Sequence, residues 1–244
     1  MTNIYKKKYI KNLYYSMISI SGLFLLGFLV FYTQNLGINY LQRELILSIF
    51  ILICLLGMFA AVSPSRCTKF LYLKKDQKSD WKLDESDSSD IGNKFKGHHP
   101  DCDNFKTHTF SLNDTKYCAG CTGLFIGALI AVIGTIIYNF YGIPDAHDSR
   151  LIFFIGFITL FVYLFQDLLL DINLNLAKFF FNMILVLGSF MILIGINELN
   201  SNIFIQLFFM VLVFIWIFGR IASSEKKHNE ICDECTTKSY CNYR

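Results

Sequence analysis

Six cysteines and four histidines of this chain fall into two short segments, and their spacing is that of metal ligands. The first segment reads His99-x2-Cys102-x5-His108-x9-Cys118-x2-Cys121, with His98 beside His99. The second reads His228-x3-Cys232-x2-Cys235-x5-Cys241. A two-residue gap between cysteines lets both sulfurs reach one ion through a tight turn, and thiolates with imidazoles suit a tetrahedral Zn(II) centre. Each segment holds at least four potential ligands. Three arrangements follow: two separate four-ligand sites, one site shared by the two Cys-x2-Cys pairs, or an iron-sulfur cluster, which also takes thiolates. The histidines beside the thiols favour zinc. The candidate metal ligands are therefore Cys102, Cys118, Cys121, His99, His108, Cys232, Cys235, Cys241 and His228. Against this stands the plain reading of ordinary reduced thiols and surface histidines, the reading that fits His147 in a loop. Cys54, inside an apolar run, reads as a small buried residue.

The same residues support a different chemistry. Cys118 and Cys121 stand at the start of an apolar helix, where the helix dipole favours a thiolate. Such a pair, with a second pair in the tail, could exchange a disulfide as membrane thiol oxidoreductases do. The βαβ context of a thioredoxin-like fold is missing.

Other groups carry weaker signals. Asp167, with Gln166 beside it and Asp171 one turn on, is an acid within an apolar run and so a candidate for an ion path in a metal or ion transporter. It could equally be solvated or pair with Arg220. Asn182 and Gln206 read as interhelical hydrogen-bonding amides. Ala119, Gly123, Gly127, Ala131 and Thr135 recur every four residues, a ridge of small side chains that lets a second helix approach closely. No glycine-rich phosphate loop, HExxH helix or nucleophile elbow is present, and nothing suggests nucleic-acid binding.

The elements that position these residues are dictated by composition. Of 244 residues, 54% are apolar, 16% aromatic and 17% charged, too apolar for an ordinary soluble domain. The excess is blocked into six stretches, near 13–34, 44–62, 122–142, 151–170, 177–196 and 202–219. Each reaches the roughly 17 to 25 residues that a helix needs to cross the hydrocarbon. The fold class expected is an all-α integral membrane protein, a six-helix transmembrane bundle with a cytoplasmic Cys/His-rich loop and tail. The β-barrel, disordered and soluble-enzyme classes are excluded.

Basic residues set the orientation. With Lys6, Lys7, Lys8 and Lys11 inside, twenty of the twenty-two Lys and Arg fall on the same side, and Arg43 and Arg150 fall outside. The positive-inside rule then gives a multi-pass cell-membrane protein with both termini and the long loop in the cytoplasm. The first span ends in Phe31-Tyr32-Thr33-Gln34-Asn35 without a small-x-small cleavage pattern, so it reads as an uncleaved anchor. In a reducing compartment, structural disulfides are not expected.

The organisation expected is an N-terminal transmembrane hairpin over 1–63, a flexible tether over 64–96, the Cys/His motif over 97–121, four spans over 122–220 and a Cys-rich tail over 221–244. The spans pair as three consecutive hairpins without internal sequence repeats, which weakens a transporter reading. Beyond the lipid bilayer, a protein partner at the cytoplasmic cap is the expected contact.

The run Cys118-Ala119-Gly120-Cys121-Thr122-Gly123, entering a span after His99, Pro100 and Phe105, resembles an uncharacterised prokaryotic multi-pass membrane family, domain of unknown function 2085. Its pattern is Cys-His…Pro…Phe followed by Cys-Ala-Arg-Cys-Thr-Gly. The match covers about thirty residues, as the motif length implies. Gly120 stands at the motif's arginine, His98 at its first cysteine, Cys102 is additional, and the Cys232–Cys241 cluster has no counterpart. The resemblance implies a Cys/His site at the start of a span and carries no activity.

Overall fold

The apolar stretches become helices because, without water, backbone N–H and C=O groups must be satisfied within the segment. The computed structural model describes residues 2–33, 40–62, 94–96, 109–112, 115–142, 146–169, 174–200 and 202–234. The helices are α1 (Thr2–Tyr32), α2 (Tyr40–Val62), α3 (Ala119–Tyr141), α4 (Ala146–Leu169), α5 (Asn175–Leu199) and α6 (Ile203–Glu234). Each contains a segment long and apolar enough to cross a membrane, and the six segments match the six stretches of the sequence. The surface agrees with that class. Phe24, Leu52, Phe59, Ile137, Ile158 and Phe214 face outward, whereas Thr135, Asn182, Ser189 and Gln206 are buried. Buried hydroxyls turn back on their own helices: Thr135 Oγ1 donates to the Ala131 carbonyl at 2.7 Å and Ser189 Oγ to that of Leu185 at 2.8 Å. No polar group then faces lipid unpaired there.

Helix ends follow local chemistry. Gly142 ends α3 with φ 65°, a left-handed conformation that glycine adopts without steric cost, and its N–H donates to the Tyr138 carbonyl at 2.8 Å. Between α5 and α6, Asn200 Oδ1 accepts from the Asn202 N–H at 3.1 Å, and Asn202 Oδ1 caps α6 by accepting from the Phe204 N–H at 3.0 Å. Asn200 Nδ2 also donates to the Val30 and Thr33 carbonyls and to Thr33 Oγ1, tying the end of α1 to this turn.

The packing order is α2–α3–α5–α4–α1–α6, with α6 also touching α5 and α2. At the centre is α5, half of whose span is buried, the largest share of the six. It runs parallel to α3 and antiparallel to α4, and glycines set both contacts. A Cβ on Gly123 would lie 2.9 Å from the Phe179 carbonyl carbon, and one on Gly127 would lie 2.9 Å from the Met183 oxygen. On the other face, a Cβ on Gly156 would lie 2.9 Å from the Gly188 oxygen, and one on Gly195 would lie 2.5 Å from Phe153 Cβ. The small-residue ridge of α3 is thus buried bundle packing against α5. The three hairpins the sequence suggests are not the packing units: α1 packs on α6 and α4, and α3 and α4 pack on α5 more than on each other. Close backbone approach at glycine outweighs the short connections.

Two further departures concern the polar segments. The 94–118 region forms a three-stranded sheet, β1 (Lys94–Lys96), β2 (Thr109–Leu112) and β3 (Thr115–Cys118), in the order β1-β3-β2. β3 is antiparallel to β2 and parallel to β1. The expected tether over 64–96 therefore ends in a strand. In the tail, α6 continues to Glu234, past the expected end of the span. Residues 221–234 contain Glu and Lys in number and no Gly or Pro, so nothing in them stops a helix.

Candidate functional site

The third strand leads directly into the third helix, and Cys118 is the residue of passage. It is the last residue of β3 and the extended N-cap of α3, with φ −70° and ψ 121°. Cys121 follows in the first turn, and the two side chains are hydrogen-bond partners. Both are free thiols; Cys118 is 4% exposed and Cys121 half-buried. Thr122 Oγ1 donates to the Cys118 carbonyl at 2.9 Å, closing the first turn from the side.

Two neighbouring helices complete the surroundings. Arg220 of α6 donates through Nε to Asn182 Oδ1 of α5, and Asn182 Nδ2 donates to the Lys178 carbonyl at 2.5 Å. A Cβ on Gly120 would lie 2.9 Å from Arg220 Nη2 and 3.3 Å from Asn182 Nδ2, so the glycine between the cysteines makes room for both groups. A cation beside two thiols offsets the negative charge that metal ligation or thiol exchange would bring there.

The sheet is anchored to the same corner. Thr109 of β2 is paired with Cys118, and the Thr109 carbonyl accepts from Asn175 Nδ2, at the start of α5, at 2.6 Å. The site is thus framed by β2, β3 and the near ends of α3, α5 and α6.

Of the ligands proposed from sequence, the structure brings Cys118 and Cys121 together. His99, Cys102, His108, Cys235 and Cys241 lie outside the described residues, although His108 immediately precedes the Thr109 that pairs with Cys118. His228 and Cys232 are described by backbone alone, one turn apart in α6. Cys232 is twelve residues beyond Arg220 on that helix, or about 18 Å along its axis. Among the described residues no group of three His, Cys, Asp or Glu is arranged to hold a metal ion. Comparison with protein-family models, with characterised proteins and with solved structures finds no match to this chain, so the resemblance stands on its motif residues alone. Asp167 belongs to α4 by backbone, and its side chain lies outside the described residues; Arg220 pairs with Asn182. Cys54 is a buried core residue of α2.

A polar cluster at the opposite end of the bundle was not foreseen. Tyr138 Oη donates to Glu198 Oε1 at 2.7 Å, Arg43 Nη1 lies 4.0 Å from the same oxygen, and Arg43 Nη2 donates to the Tyr138 carbonyl at 3.1 Å. The guanidinium also lies over the Tyr138 ring, 4.5 Å from its centroid. Beside it, Gln206 accepts from Gln42 and donates to Asn197 Oδ1, each at 2.9 Å. These contacts join α2, α3, α5 and α6. The signal was present in the sequence as opposite charges at the same end of two spans, Arg43 and Glu198.

Proposed function

We propose that this chain is a multi-pass protein of the cell membrane, with both termini and the 63–118 connection in the cytoplasm, whose Cys118–Cys121 pair is part of a zinc-binding cap that serves in binding, sensing or scaffolding. The observation that carries the reading is the meeting of the two thiols at the β3–α3 junction, fixed against α5 and beside Arg220. A closed zinc site needs four ligands. Cys118 and Cys121 would supply two, and His108, with Cys102 or His99, would supply the rest. The pairing of Thr109 with Cys118 supports His108, its neighbour in the chain. The 18 Å reach of α6 beyond Arg220, at about 1.5 Å per residue, favours a separate second set from His228, Cys232, Cys235 and Cys241 over a single shared site.

The test is metal content by mass spectrometry, with an absorption spectrum, on protein purified without oxygen. Zinc that is lost in Cys118→Ser and Cys121→Ser supports the reading. Content that is unchanged in those variants refutes it, and iron with a broad visible band replaces zinc by a cluster.

One observation favours a second reading. The thiol pair at the start of α3 has a cation at hand, with Arg220 at the glycine between the two cysteines, which suits a dithiol that reduces a partner's disulfide. Two electrons and two protons would leave Cys118 and Cys121 as their own disulfide forms and the partner becomes a dithiol. A mixed disulfide trapped in Cys118→Ser or Cys121→Ser, in metal-free protein, would support it; uniformly slow alkylation of both thiols would reject it.

A further inference from the structure

Arg220 has a second face. Between α1, α4 and α6, at the same end of the bundle as the thiols, lies a cleft whose walls include Tyr15, Ser16, Ser19, Tyr163, Trp216 and Arg220. Among the described residues no carboxylate lines it. We infer that this cleft binds a single oxyanion group of the phosphate type, held by the Arg220 guanidinium and the Trp216 indole N–H.

Three observations carry it. The Trp216 side chain is 2% exposed, and its Nε1 has no hydrogen-bond partner among the described residues. An indole nitrogen is a donor only, so what it lacks is an acceptor. Second, Arg220 presents a guanidinium cation, and the oxygen that receives its Nε, on Asn182, is neutral. Among the described residues no ion pair compensates it. A buried donor without an acceptor is costly, and one anion would satisfy it while meeting the half-buried Arg220 guanidinium. Ser16 and Ser19, 9% and 2% exposed, add hydroxyls on the facing helix.

Third, size selects the occupant. The cavity within the cleft has a volume of about 20 Å3. That suits one small charged group and excludes a ring system such as a quinone or a nucleobase. Gly219, also in the wall, keeps the space beside Arg220 open: a Cβ there would meet Tyr15 Cβ at 3.7 Å, so alanine fits and a larger side chain would fill the cleft. The oxyanion has two possible sources, the headgroup of an acidic phospholipid or a free phosphate.

Trp216 reports on its own site once Trp81, the chain's second tryptophan, is replaced by Phe. The full-length Trp81→Phe protein is titrated with inorganic phosphate in a neutral detergent, and its emission is compared in nanodiscs of phosphatidylcholine alone and with phosphatidylglycerol. A saturable phosphate response assigns the site to a soluble oxyanion; a shift only with phosphatidylglycerol assigns it to a lipid headgroup. Either must weaken at least about tenfold in Arg220→Gln, the scale of a lost charge-assisted hydrogen bond, and must disappear in Gly219→Leu. If Arg220→Gln does not fold, Gly219→Leu decides alone. No emission change with phosphate or with phosphatidylglycerol, or an undiminished change in these variants, overturns the proposal.

Discussion

A methyl group at position 123 would probe the close approach of α3 to the backbone of α5. The added Cβ of Gly123→Ala would lie 2.9 Å from the carbonyl carbon and 3.1 Å from the Cα of Phe179, whereas carbon atoms settle at about 3.5 to 4.0 Å. Both obstacles are backbone, so no rotamer change relieves them and α3 must retreat from α5 by roughly 0.5 to 1 Å. Overpacking of this kind costs about 1 to 3 kcal/mol. Replacing glycine by alanine within a helix returns up to about 1 kcal/mol. The net loss expected is up to about 2 kcal/mol, a factor of up to about 30 in the folded-to-unfolded ratio. Gly57→Ala is the control, because nothing lies within 4 Å of a Cβ there, and it should be neutral or slightly stabilising. Reversible unfolding in mixed sodium dodecyl sulfate micelles, followed by circular dichroism, measures both. The retreat should also be felt two residues earlier, as faster alkylation of Cys121. If Gly123→Ala unfolds like Gly57→Ala and leaves Cys121 as slow as before, the argument from close backbone approach is wrong.

Three other substitutions have defined outcomes. Asn182→Leu removes the acceptor of Arg220 Nε and should destabilise by about 1 to 3 kcal/mol; adding Arg220→Met should recover part of that loss in the same unfolding assay, since two apolar partners leave nothing unpaired. Tyr138→Phe removes the 2.7 Å bond to Glu198 and should cost about 0.6 to 1.7 kcal/mol. In a double-mutant cycle with Glu198→Gln, the loss should be non-additive. Asn200→Ala breaks the ties to Val30 and Thr33 and should lower stability by about 1 to 2 kcal/mol, which the same micelle titration reads.

The six spans were legible because transfer of a long apolar run into lipid is a property of composition and length alone. The ridge from Ala119 to Thr135 was legible too, since its period of four maps onto one helix face. That α5 is the helix it meets was not. Gly156, Gly188 and Gly195 show no regular spacing, and their roles appear only once α5 lies between two neighbours. Hydropathy likewise treats all six spans alike and is silent on which sits centrally. The sheet is built from strands of three or four residues, with β1 pairing to a strand nineteen residues later, below the length at which alternation is informative. At the site, the Cys-x2-Cys spacing announced the thiol pair, whereas Arg220 and Asn182 are single residues on other helices and no local pattern links them. Arg43 was read as an outer-side charge for topology, which hid its place beside Glu198 and Tyr138. The helical continuation of α6 was present in the propensities of Glu225, Lys226, Lys227 and Glu230, but the cysteines drew the segment toward a metal-bound tail.

The central position of α5 has a consequence for biogenesis. Ribosomes release α3 and α4 before α5 exists, yet the glycine faces of both helices have α5 as their counterpart. A nascent chain halted after α4 therefore holds two unmatched seams in the bilayer, and these must stay separable until the fifth span enters between them. The contacts that close the bundle can therefore form only once α5 has entered the bilayer. Chaperoning by the insertion machinery, or quality control of halted chains, would act on that interval.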